Sequence, residues 1–76
     1  MTDCQACQML ADRLEALFAG QRRPVRVHCE PYGAHGYRAT AAGRVPADLA
    51  HLAKLATGAA RVTIQHSGEQ SVITLE

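Results

Sequence analysis

Aromatic side chains and lysine are the residues this sequence has least of. Phe18, Tyr32 and Tyr37 are its only aromatic residues, and it contains no tryptophan. The core must therefore be built mainly from leucine, valine, isoleucine and alanine. Lys54 is the only lysine among eight basic residues. This preference for arginine, together with frequent alanine, is typical of a GC-rich bacterial or phage genome.

Other absences exclude whole classes of protein. No stretch approaches the roughly 20 consecutive apolar residues of a membrane-spanning helix. The chain does not start with a basic segment followed by an apolar one, as a secretory signal does. Three cysteines cannot all pair with one another. We therefore expect a cytoplasmic protein with reduced thiols and no membrane partner.

The net charge and the length of the chain also limit its possible partners and its number of domains. The net charge is +1 at pH 7, which gives no overall argument for binding nucleic acid or anionic membranes. A chain of 76 residues forms one domain, residues 1–76. So short a chain buries only a modest fraction of its surface, and dimerisation is one way for it to gain stability.

Residues 2–42 read as a helix followed by two strands. Apolar residues recur at helical spacing within residues 1–20, and Gly20 suits a helix end. Residues 25–30 alternate apolar and polar side chains, the period of a half-buried strand. Residues 31–36 form a turn, and residues 37–42 form a second strand. The predicted helical stripe is Cys7, Leu10, Leu14, Leu17 and Phe18.

Residues 45–75 repeat this pattern more clearly. Pro46 suits the first position of a helix, and Gly58 suits the position just after its end. Strands follow at residues 61–66 and 71–75, joined by a tight turn at residues 67–70. The predicted buried stripe of this second helix is Leu49, Leu52, Leu55 and Ala56.

The resulting element order is α-β-β-α-β-β. It predicts an α+β fold, a two-layer sandwich in which a four-stranded, mostly antiparallel sheet carries both helices on one face. One such arrangement is a βαββαβ sandwich whose first strand has moved to the end of the chain.

The second unit resembles part of a known family. Its Pro46-Ala47 helix start, its Val62-Thr63-Ile64 strand and its Gly68 turn are similar to one αββ unit of the histidine-containing phosphocarrier proteins. That family carries its phosphorylated histidine just ahead of the equivalent proline, where this sequence has Gly43 and Arg44. The phosphotransfer role therefore does not carry over, and we assign no family.

No pattern of catalytic residues stands out. The four histidines lack the spacing of a catalytic triad or of a zinc-binding HExxH helix, and no serine lies in a nucleophile elbow. The acidic residues are few and scattered, so no carboxylate pair is placed for acid–base chemistry. We therefore predict that the protein is not an enzyme and assign no catalytic residue.

The sharpest local motif is the pair Cys4 and Cys7 at a helix start. A helix N-terminus lowers thiol pKa values, so the pair could act as a redox dithiol. The same spacing allows both sulfurs to reach one zinc ion, with Cys29 or His28 as further ligand candidates. Strand alternation, however, points Cys29 and His28 to opposite faces. The simpler interpretation places Cys7 and Cys29 in the core, leaves Cys4 as an incidental thiol, and requires no cofactor.

The sheet face away from the helices is the other candidate site. It is predicted to carry three arginines with neighbouring polar residues, and arginines can hold phosphates. RNA-binding sheets add aromatic residues that stack on bases, but Tyr32 is predicted in a turn and Tyr37 on the other face. The proposed partner-binding residues are Arg26, His28, Arg38, Arg61 and Thr63.

These observations favour a small non-catalytic bacterial or phage protein that binds a protein partner or a second copy of itself. One alternative is a metal-binding or thiol-redox protein that uses Cys4 and Cys7. The other is an RNA- or single-stranded-DNA-binding module that uses the arginine-bearing sheet face.

Overall fold

The computed structural model describes residues 5–22 and 24–76, and its elements follow the predicted order. Residues 1–4 of the predicted first helix lie outside the described residues. None of the helices in the described part is long and apolar enough to cross a membrane. The elements are α1 (Gln5–Gly20), β1 (Val27–Tyr32), β2 (Gly36–Ala42), a 3₁₀ turn (Ala47–Leu49) that leads into α2 (Ala50–Thr57), β3 (Val62–Ser67) and β4 (Gln70–Leu75).

The four strands form one sheet in the order β1-β2-β4-β3. Every neighbouring pair is antiparallel. The last strand of the chain thus lies inside the sheet, between β2 and β3, as in a βαββαβ sandwich whose first strand has moved to the end. Both helices lie on one face, which confirms the predicted α+β sandwich.

The core lies between the helices and the inner face of the sheet. Alternation within each strand sends every second side chain into it. Ala39 and Ala41 of β2 are fully buried, and their small side chains leave room for the helices above. The remaining buried apolar residues are Cys7, Leu10, Ala11, Leu14, Phe18, Val27, Cys29, Val45, Leu49, Ala53, Ile64, Ile73 and Leu75.

The first hairpin differs from the prediction at its turn. Pro31 and Tyr32 belong to β1, where they pair with Tyr37 and Gly36, and the turn is only residues 33–35. A proline fits here because β1 is an edge strand. The N–H that proline lacks can fall on the side without a neighbouring strand, so no hydrogen bond between strands is lost. Tyr32 is therefore a strand residue and not a turn residue.

A buried hydroxyl fixes the connection that leads into α2. Ser71 of β4 is fully buried. Its Oγ donates to the carbonyl of Gly43 at 2.8 Å and accepts from the N–H of Val45 at 2.7 Å. Nearby, Nε2 of His66 donates to the carbonyl of Val45 at 2.6 Å. These bonds hold the segment before α2 against the second hairpin.

Candidate functional site

The sheet face away from the helices carries most of the predicted partner-binding residues. His28 of β1 pairs with Thr40, and Arg38 pairs with Thr74, which in turn pairs with Thr63 of β3. Arg26 and Arg61 lie just before β1 and β3. The structure thus brings Arg38 and Thr63 into one row across the sheet and places the other three around it.

Two of the three arginines on this face already have partners within the chain. Arg38 lies 3.6 Å from the carboxylate of Glu30, and its guanidinium lies 4.7 Å from the centre of the Tyr32 ring. Arg61 lies 3.5 Å from the carboxylate of Glu76. Both ion pairs are solvent-exposed and contribute little to stability, but they lower the positive potential of the face.

Tyr32 corrects the prediction that this face has no aromatic residue. It is the last residue of β1, and it lies beside Arg38 because the register pairs it with Gly36. The contact is a cation–π interaction. One side of the ring is therefore occupied by a guanidinium, where an RNA-binding sheet would offer it to a base.

A second site is the groove between α1 and β1. Its lining includes Cys7, His28 and Cys29, which are three of the four candidate metal ligands. The fourth candidate, Cys4, lies outside the described residues. His28 reaches the groove although it points to the opposite face from Cys29, because β1 is at the edge of the sheet. The other residues of the groove are Gln5, Gln8, Ala11 and Val27.

The two cysteines of this groove are both buried, as predicted for core residues. Their chemical states differ, since Cys7 is disulfide-bonded and Cys29 is a free thiol. The expectation that all thiols are reduced is therefore wrong for Cys7. Burial, followed by the negative charge of Glu30, raises the pKa of the Cys29 thiol, which disfavours its thiolate form.

The same groove gives little support to a metal centre. No group of three or more histidine, cysteine or acidic residues is arranged to hold an ion within the described residues. Cys7 is unable to act as a thiolate ligand while its sulfur is in a disulfide.

The third site is the outer surface of the helices, which the sequence did not predict. Leu52 and Leu55 were expected in the buried stripe of α2, but they are 36 % and 67 % exposed. Met9 of α1 is 46 % exposed. Arg13, one turn after Met9, donates to the carbonyl of Ala56 at 3.4 Å. Arg13 thus links α1 to α2, and Met9, Leu52 and Leu55 are the large apolar residues that these helices expose.

The spacing of the leucines explains the error. Three residues of an α-helix turn through 300°, so each leucine of the series Leu49, Leu52 and Leu55 falls about 60° behind the one before. Leu49 is buried, Leu52 lies at the margin and Leu55 points to solvent. The buried position after Leu49 is Ala53, four residues on. The angular position of each residue around the helix, at 100° per residue, therefore predicts that Ala53 and not Leu55 is buried.

Comparison of the chain with protein-family models, with curated proteins and with solved structures finds no match.

Proposed function

We propose that this chain is a small, non-catalytic, cytoplasmic protein of a bacterium or phage that binds another protein molecule. The binding surface is the outer face of the two helices, and the partner that binds there is a second copy of the chain. The observation that carries this proposal is the exposure of Leu55, which leaves two-thirds of an apolar side chain in water on a regular helix. Exposed apolar side chains that gather on one surface are typical of interaction sites.

The character of the surrounding residues supports a second copy as the occupant. Leu52 of α2 and Met9 of α1 are further apolar side chains that the helices expose. Their exposed charged neighbours are of both signs, two acidic and two basic. A two-fold interface places a patch against itself, so balanced charge allows the contact where a single sign would repel. These neighbours are Asp12, Arg13, Asp48 and Lys54.

The arginine-bearing sheet face has less support as the binding surface. Two of its arginines are neutralised by carboxylates of the same chain, and one of them covers Tyr32. The two carboxylates lower the positive potential that would attract RNA or single-stranded DNA, and the guanidinium of Arg38 covers one side of the Tyr32 ring, which weakens the nucleic-acid alternative.

Leu55→Glu is the variant that tests the proposal. Sedimentation equilibrium of the wild-type protein should show a monomer–dimer equilibrium, and the variant should be monomeric over the same concentrations. A charge buried without a partner in an interface costs several kcal/mol, so we expect the dissociation constant to rise by about a hundredfold or more. The urea midpoint of the monomer should change little, because the Leu55 side chain is mostly in solvent.

Thr63→Glu is the matched control, since it places the same charge on the exposed sheet face. It should leave the dissociation constant within about twofold of wild type. If Thr63→Glu disrupts the dimer and Leu55→Glu does not, the sheet face is the interface and the helical surface is not. A wild-type chain that remains monomeric at high concentration would rule out the second copy as occupant.

A further inference from the structure

The strand β3 lies at one edge of the sheet, and within the described residues β4 is the only strand that pairs with it. Just before β3, the backbones of Arg61 and Glu76 exchange two hydrogen bonds, at 3.1 and 2.9 Å. Bonded and non-bonded pairs alternate along an antiparallel ladder, so every second residue from Arg61 onward bonds to β4. The backbone N–H and C=O groups of the residues between them point away from the sheet. These outward residues are Val62, Ile64 and His66.

The opposite edge of the sheet, β1, is closed by two features. The N–H of Ala42 donates to the carbonyl of Arg26 at 3.0 Å, so the same alternation turns the backbone of Val27 and of Pro31 outward. The outward N–H of Val27 donates to Oε2 of Glu15 at 2.8 Å, and Pro31 has no N–H. Natural proteins protect edge strands in such ways because an open edge can pair with another chain.

We propose that β3 pairs with β3 of a second copy across a two-fold axis and joins the two sheets into one. β3 contains no proline, lysine or acidic residue, and its register with β4 has no bulge. In antiparallel pairing about Ile64, this residue lies opposite its own copy, and Val62 lies opposite His66. Each outward N–H then meets an outward C=O. On the outer face, Thr63 lies opposite the uncharged Gln65, so the charge of Thr63→Glu meets no like charge.

This pairing also brings together the helical surfaces of the two copies, and the inference rests on the self-association proposed above. The helix that contacts β3 is α2, which carries the exposed Leu52 and Leu55, while α1 contacts β1 at the far edge. A two-fold axis perpendicular to the joined sheet keeps all the helices on one side, with the two α2 helices nearest the axis. Strands are about 4.8 Å apart and packed helices about 8–10 Å apart, so helices two strands apart can touch.

Amide hydrogen exchange of the full chain, followed by NMR at high protein concentration, tests the pairing residue by residue. The amides of Val62, Ile64 and His66 should exchange at least about tenfold more slowly in the wild-type dimer than in the Leu55→Glu monomer. The amides of Thr63 and Gln65 bond to β4 and should be protected in both samples. They are therefore controls within the same strand.

His66→Pro and His66→Ala are a matched pair of variants. Both lose the bond from Nε2 of His66 to the carbonyl of Val45, but only the proline variant loses the outward N–H. A two-fold dimer loses that N–H twice, once in each copy. The dissociation constant of His66→Pro, from sedimentation equilibrium, should therefore exceed that of His66→Ala by about tenfold or more.

The possible results separate this inference from the proposed function. A wild-type dimer in which the three outward amides exchange as fast as in Leu55→Glu would overturn the strand pairing and leave the helical interface standing. A wild-type chain that is monomeric at every concentration would overturn both. If the outward amides of a monomeric chain become protected only when a synthetic peptide of alternating threonine and valine is added, the edge accepts an extended segment of another protein, and the second copy is wrong.

Discussion

At the scale of single residues, the fully buried Ser71 is the clearest case of a side chain with a defined task. A hydroxyl in an apolar layer is costly unless its hydrogen bonds are made. Ser71 makes two, to the carbonyl of Gly43 and from the N–H of Val45. It therefore satisfies two backbone groups of the segment that leads into α2, where no strand ladder can reach them.

Ser71→Ala should lower the free energy of unfolding by about 1–3 kcal/mol, because it leaves the buried N–H of Val45 and the part-buried carbonyl of Gly43 without their partner. Ser67→Ala, at an exposed position on β3, is the control and should cost less than about 0.5 kcal/mol. Urea unfolding followed by far-ultraviolet circular dichroism measures both. Equal midpoints for the two variants would show that Ser71 has no such role.

At the scale of elements, the two helices end differently although each has a glycine nearby. α2 ends before Gly58, which adopts φ 75° and donates its N–H to the carbonyl of Lys54. Gly20 was predicted to end α1 in the same way, but it is the last helical residue, and Arg22 takes the left-handed conformation with φ 62°. A glycine in the sequence thus marks a helix end only to within a residue or two.

Gly58→Ala and Gly20→Ala test this difference with the same change. A Cβ at either position would meet nothing within 4 Å, so only backbone conformation separates them. Gly58→Ala should destabilise the protein by about 1–2 kcal/mol, the cost of the left-handed region. Gly20→Ala should be neutral or stabilise it by up to about 1 kcal/mol. Thermal unfolding monitored by circular dichroism gives both values, and a cost at Gly20 equal to that at Gly58 would contradict the assignment.

The sequence was sufficient for the order of the elements and for the buried faces of the strands. The alternation of Val27 and Cys29, and of Val62 and Ile64, correctly identified the inner face of the sheet, because a strand has only two faces. The same reasoning failed for α2, where an apolar side chain has a full circle of directions and a spacing of three drifts off the buried side.

The candidate sites were less accessible to prediction because they depend on contacts between elements. Cys7 and Cys29 were each placed in the core from local spacing, but their common groove requires the packing of α1 on β1. The pairing of Arg38 with Glu30 likewise follows from the register of the first hairpin. The predicted turn of residues 31–36 includes Tyr32 and therefore does not give this register, in which Tyr32 pairs with Gly36.

At the scale of the whole molecule, the two αββ units lie side by side in one sheet and share one core. Their contact is the central pair of strands, β2 and β4, with Ala39 opposite Ile73. The two hairpins also have matching registers. Val27 lies opposite Ala41 in the first hairpin, and Val62 lies opposite Leu75 at the corresponding position of the second. Each unit therefore presents one edge of its hairpin to the other, and the two helices share one core above them.

This arrangement predicts that neither unit folds alone. Separate fragments of residues 1–43 and 44–76 would each expose the edge of a central strand and half of the core, and an isolated hairpin is marginally stable at best. Each should give a disordered circular dichroism spectrum without a cooperative thermal transition.

An equimolar mixture should recover the spectrum of the intact chain, because the bonds from Ser71 to Gly43 and Val45 can form across the cut. The same mixture made with Ser71→Ala in the second fragment should reassemble more weakly, by about tenfold or more for a loss of 1.4 kcal/mol. A fragment 44–76 that unfolds cooperatively by itself would show that the second unit is an independent domain, and the single-domain interpretation would be wrong.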